Sequence, residues 1–118
     1  MPNDPRIVDV QFYSVVPGQP VQIQATIGNG MVGGTSVSHK GVVRELTTGS
    51  VTVGKQGDDL KHTIIHCITT VRDINPQSDT TVVTYHVTGG EQDLDVSYSL
   101  DVNVSGGFAR YVIDFALV

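Results

Sequence analysis

Four histidines, one cysteine and a set of aspartates are the residues of this chain that could do chemistry. In His62-Thr63-Ile64-Ile65-His66, a helix would set two imidazoles side by side and begin a zinc site. The stretch lacks the glutamate that a zinc-hydrolase helix carries between its histidines. On a strand the same two share a face but stand roughly 13 Å apart. An imidazole of His86 within ligand distance of either would be the sign of a metal site. Cys67 follows His66 directly, yet strand neighbours point to opposite faces, so that base cannot activate that thiol. A buried, inert cysteine is the expectation. No serine sits in a G-x-S-x-G elbow.

Two further patterns invite a ligand. Gly28-Asn29-Gly30-Met31-Val32-Gly33 fits the spacing G-x-G-x-x-G, which cradles a pyrophosphate when a helix opens at the last glycines. Thr35 to Gly41 reads instead as strand or loop, so a turn-rich loop is expected. Asp93, Asp95 and Asp101 share one parity, with Asp114 further on, and calcium would need added loop oxygens. Otherwise they form the solvated face of a sheet and discourage edge-to-edge pairing. A carbohydrate platform would need a row of exposed aromatics; only Tyr13 and Phe108 fall off the expected core parity.

These residues must be positioned by strands. Leu94, Val96, Tyr98, Leu100, Val102 and Val104 alternate with polar residues, and Ala109, Tyr111, Ile113, Phe115 and Leu117 repeat the pattern after Gly106-Gly107. A two-residue turn at the glycines predicts a hairpin in which Val104 faces Ala109, Val102 faces Tyr111, Leu100 faces Ile113 and Tyr98 faces Phe115. Arg110 would then lie diagonal to Asp101. Upstream, strands are expected at Ile7 to Val16 (Val8, Val10 and Phe12 on one parity), Val21 to Ile27, Val37 to Leu46 and Val51 to Val53. Thr47-Thr48-Gly49 supplies a turn. Pro17-Gly18-Gln19-Pro20 leading into Val21 is similar to the entry into an inner strand of many bacterial immunoglobulin-like modules.

Leu60 to Ile74 is ambiguous. Leu60, Ile64, Cys67, Ile68, Val71 and Ile74 recur at helical intervals, but β-branched residues crowd the stretch. The reading favours a central strand, joined through Asn75–Asp79 as a hairpin to Thr80–Thr88. The expected fold is all-β: one domain over 1–118, a two-sheet antiparallel β-sandwich of seven or eight strands, immunoglobulin-like. The alternatives are a closed meander barrel, or an α+β fold if 59–74 is helical.

With 118 residues the chain is long enough for a single core. Twelve acidic against seven basic residues give −5, which opposes nucleic acid and anionic membrane as partners. Met1 to Pro5 shows no secretion signal and the single cysteine no internal disulfide, so a cytoplasmic setting is expected. No cofactor and no enzymatic activity are expected. The role expected is a non-catalytic protein-interaction or assembly module, binding a protein partner or itself as a homo-oligomer. Its candidate patch is His62, His66, Thr84 and His86. A small-ligand barrel around Ile23, Ile65, Tyr85 and Tyr98 is the second reading, and a metal- or histidine-dependent enzyme the third.

Overall fold

In a computed structural model, which describes residues 5–46, 49–102 and 106–118, the described residues form nine strands and no helix. These are β1 (Arg6–Tyr13), β2 (Val21–Ile27), β3 (Val32–His39), β4 (Val42–Leu46), β5 (Ser50–Val53), β6 (Ile64–Arg72), β7 (Thr80–Thr88), β8 (Leu94–Asp101) and β9 (Phe108–Leu117). They make a sandwich of a five-stranded sheet, β1-β9-β6-β3-β4, and a four-stranded sheet, β5-β2-β7-β8. The two-sheet sandwich is the expected one; the sheets do not close into a barrel. Among the described residues only β1 and β9 pair in parallel. No helix among the described residues is long and apolar enough to cross a membrane.

The helical reading of 59–74 fails against β6, whose burial alternates residue by residue. Ile65, Cys67, Thr69 and Val71 enter the core while Ile64, His66, Ile68 and Thr70 face outward. With nine residues of which most are β-branched, the period-two pattern wins over the helical spacing.

The hairpin expected at Gly106-Gly107 does not form. β8 pairs with β7, setting Leu100 beside Thr81 and Tyr98 beside Val83. β9 pairs with β6 and β1, setting Ile113 beside Cys67 and Tyr111 beside Thr69. The two apolar rows do meet in one core, but from opposite sheets. Alternation fixes which side is buried; it does not say whether two buried rows lie side by side or face to face. The chain around the glycines is tied both ways, Val102 N donating to Asp79 O and Asp73 N to Gly107 O, each at 2.9 Å. The proposed Val104–Ala109 pairing and the Thr47-Thr48 turn lie outside the described residues. Asn75–Asp79 likewise joins two sheets rather than a hairpin, since β6 and β7 belong to different layers.

The hairpins among the described strands are β3–β4 and β7–β8. The first divides the single strand expected at Val37 to Leu46. It turns at Lys40-Gly41, both with positive φ (49° and 79°), as a two-residue primed turn requires. β3 also starts earlier than expected, inside the glycine-rich stretch. At Gly33 an added Cβ would sit 2.1 Å from Thr70 O, so glycine is there to let β3 lie against β6.

Every tyrosine crosses between the layers. The Tyr85 hydroxyl, from β7, lies 2.5 Å from Thr69 Oγ1 on β6, which is 2.8 Å from Thr35 Oγ1 on β3. In the opposite direction Tyr111 of β9 reaches Thr81 of β7 at 2.5 Å. Tyr98 of β8 donates to Asp9 Oδ2 on β1 at 2.8 Å, and Gln11 Nε2 donates to both. Tyr13, at the end of β1, accepts from Gly90 N at 2.8 Å. Burial and the Asp9 carboxylate push the Tyr98 phenol up to about 12.

Removing the Tyr85 hydroxyl takes one of two partners from buried Thr69 Oγ1, which keeps its bond to Thr35. Tyr85→Phe should therefore lose about 0.5–1.5 kcal/mol in urea denaturation, with the native fold retained. Asp9 is held below its ordinary 3.8 first by the Tyr98 hydroxyl, then by the Val10 amide and Gln11. A lowered carboxyl stabilises the fold above its unfolded value, and that contribution fades as pH falls through the folded one. The stability gap between wild type and Asp9→Asn should accordingly narrow as pH falls below the ordinary carboxylate value of 3.8 and vanish once it passes the lowered folded one.

Candidate interaction surfaces

The outward rows of the two sheets differ in chemistry. On the four-stranded sheet the rungs read Gln24–His86–Asp95 and Thr26–Thr84–Ser97. Polar groups there pair with each other: His86 Nδ1 bonds Asp95 Oδ1, and Thr84 Oγ1 lies 2.8 Å from Ser97 Oγ. That face is satisfied by itself and by water.

The outer face of the five-stranded sheet carries the rungs Val8–Val112–Ile68, Val10–Asp114–His66 and Phe12–Ala116–Ile64. Phe12 is 71% exposed, Val8 68%, Ile64 55% and Val10 49%. The cause is an inverted edge strand. β1 turns Ile7, Asp9, Gln11 and Tyr13 towards the core and its Val8, Val10 and Phe12 row towards solvent. The row shares one face as expected, and that face is the outer one because Asp9 and Gln11 are held inside by Tyr98. An inward carboxylate on an edge strand also guards the sheet against edge-to-edge growth.

The four patch residues do not come together. His66 projects from the outer face of the five-stranded sheet, while Thr84 and His86 project from the opposite side of the molecule. His62 precedes β6 in a positive-φ turn (68°), its amide donating to Leu117 O at 2.8 Å. His66 Nδ1 bonds Asp114 Oδ1 in the midst of the apolar rungs. His39 Nε2 lies 3.0 Å from Thr63 Oγ1, and burial, then Lys40, lower its affinity for a proton. Among the described residues no three His, Cys, Asp or Glu side chains converge as a metal site would require.

The remaining candidates also separate. Asp95 and Asp101 stand six residues apart on β8, roughly 20 Å at the usual rise, and Asp114 belongs to the other sheet. Asp101 accepts from Thr80 Oγ1 at 2.6 Å, not from Arg110, which lies on β9 opposite Thr70. Cys67 is fully buried, and burial, with a lesser push from Asp114, raises its thiol to about 12. Tyr13 is 3% exposed, contrary to expectation, while Phe108 does reach the surface beneath the Arg72 guanidinium. Ile23, Ile65 and Tyr85 are sealed in the core, and Tyr98 is half-buried at its margin.

Sequence reasoning reached His66 but missed Val8, Val10, Phe12 and Ile64. The available signal was the apolar character of β6 on both parities, which marks a central strand and equally a sheet covered on both sides. Comparison with protein-family models, with curated proteins and with solved structures finds no match to this chain.

The Asp95 carboxylate, bonded to His86, raises that imidazole above its ordinary 6.5. A raised histidine stabilises the fold below its unfolded value and loses that contribution as pH climbs through the folded one. In an NMR titration His86 should titrate above 6.5, and Asp95→Asn should move its midpoint down.

Proposed function

We propose that this chain is a non-catalytic assembly module that docks a second copy of itself on the outer face of its five-stranded sheet. The observation that supports the reading is the exposed row of Val8, Val10 and Phe12 beside Ile64, Ile68 and Val112, opposite an outer face that is polar. Apolar side chains that line up across three strands form a patch, and such patches mark interaction surfaces.

Size suits the reading. Three strands about 4.8 Å apart, with flanking β3 and β4 and about seven residues of length, present on the order of 500 Å² per copy. Two such faces in contact approach the roughly 1,200 Å² at which stable interfaces begin. The polar groups embedded in the patch suit it too. His66 and Asp114 are bonded to each other, so a covering copy has only His66 Nε2 and the second Asp114 oxygen left to satisfy. Cytoplasm is the setting we infer, since a lone buried Cys67 needs no oxidising compartment.

Sedimentation equilibrium tests the reading. The wild-type chain should sediment as a dimer at micromolar concentration, and Val8→Thr with Phe12→Ser should weaken association by more than about a hundredfold, from two side chains worth roughly 1.5–3 kcal/mol each in each copy. Both positions face solvent in the single copy, so at concentrations low enough for both chains to be monomeric the urea midpoint of the double variant should match that of the wild type. A wild-type chain that remains monomeric at about 0.5 mM contradicts the proposal. So does a dimer that the double variant leaves unchanged.

A further inference from the structure

Away from β1, the sandwich is open at its other margin. The edge strands β4 and β5 belong to different sheets and face each other unpaired, and between them lies a cleft of about 230 Å³. Its floor is apolar: Val37, Val51, Val53 and Leu60 are all buried. Leu60 reaches that floor because residue 54 is glycine, with φ 82°; an added Cβ would stand 2.8 Å from Leu60 Cδ2.

The rim is cationic. Lys40 comes from the β3–β4 turn, Arg44 from β4 and Lys55 from the segment after β5. Three of the chain's seven lysines and arginines thus gather at one small cleft of a protein whose net charge is −5. Register explains the most telling of them. Arg44 stands opposite Val37, and directly opposed residues share a face, so Arg44 lies on the core side of β4 at the mouth of the cleft. The one carboxylate of the lining, Asp58, is engaged locally and accepts from Lys55 N at 2.9 Å. His39, beside it, is bonded to Thr63 and adds no charge at neutral pH. An inward charge on an edge strand can serve only to block pairing. That device needs one cation on the strand, whereas here two more converge from outside it.

We propose that this cleft binds a small amphipathic carboxylate, its apolar tail laid over Val37, Val51, Val53 and Leu60 and its carboxylate held by Arg44 and Lys55. Guanidinium offers the paired donors that a carboxylate accepts, and the buried floor offers the tail a dry surface. The volume lies just below the roughly 300–1,000 Å³ of drug-sized sites, so the tail is short. The site shares no residue with the outer face of the five-stranded sheet and stands or falls separately from dimerisation.

Amide NMR of the intact chain, titrated with octanoate, octan-1-ol and inorganic phosphate, provides the test. Octanoate should shift Val51, Val53, Gly54 and Leu60 saturably, with octanol and phosphate each about tenfold weaker or worse. Arg44→Gln with Lys55→Gln should weaken octanoate about tenfold while leaving the urea midpoint in place, both side chains being at the rim. The proposal is overturned if octanoate leaves the cleft amides unmoved at about 5 mM or the double variant binds it equally well. Octanol matching octanoate would reduce the cleft to an apolar hollow, and phosphate matching it would reduce it to a charge cluster; either also overturns the proposal.

Discussion

Hydroxyl groups reaching across the core fix how the two sheets of this protein lie on each other. Apolar burial drives the layers together, but it is non-directional and would tolerate a sliding or rotated sandwich. Tyr85 and Tyr111 cross in opposite directions to threonines of the facing sheet, and Tyr98 and Tyr13 close the β1 margin. A buried hydroxyl without a partner costs more than a made bond returns, so a shift of either layer would break several bonds together. With no tryptophan in the chain, these four residues and Phe115 carry the aromatic core, and Tyr85 meets Tyr98 and Phe115 edge-on.

The arrangement of β1 follows from those crossings. Tyr98 donates to Asp9, and Asp9 can accept only by pointing inward. Period two then sends Val8, Val10 and Phe12 outward, against the usual preference of apolar side chains. At the opposite margin the edge strands β4 and β5 flank a cleft above a buried floor. The molecule thus carries an apolar outer face and, apart from it, a cationic cleft. The two surfaces sit on different sides of the molecule and serve different ligands in our reading.

Much of the fold was legible in the residues. β2 and β7 occupy Val21–Ile27 and Thr80–Thr88 as the alternation indicates, and Cys67 turns away from His66 as strand geometry demands. What the alternation could not convey was partnership. Leu100 and Ile113 each belong to a buried row, and a hairpin and a sheet-to-sheet crossing bury those rows equally well. The deciding contacts, such as Val102 to Asp79 and Asp73 to Gly107, are long-range backbone bonds with no local signature. The inversion of β1 was hidden for the same reason. Val8, Val10 and Phe12 look like a core row until a tyrosine some ninety residues away claims Asp9. Of the expected patch, only His66 lies on the apolar face, since the strands bearing it and His86 belong to different sheets.

In the proposed assembly the outer face of the five-stranded sheet meets its counterpart on another copy. Isotope-filtered NOE spectroscopy on an equal mixture of labelled and unlabelled chain tests it most directly. Contacts between copies are expected from the Phe12 ring to the methyl groups of Val8, Val10 and Ile64. An interface seen instead at Gln24, Thr84 and His86, or no contact between copies at all, would contradict it.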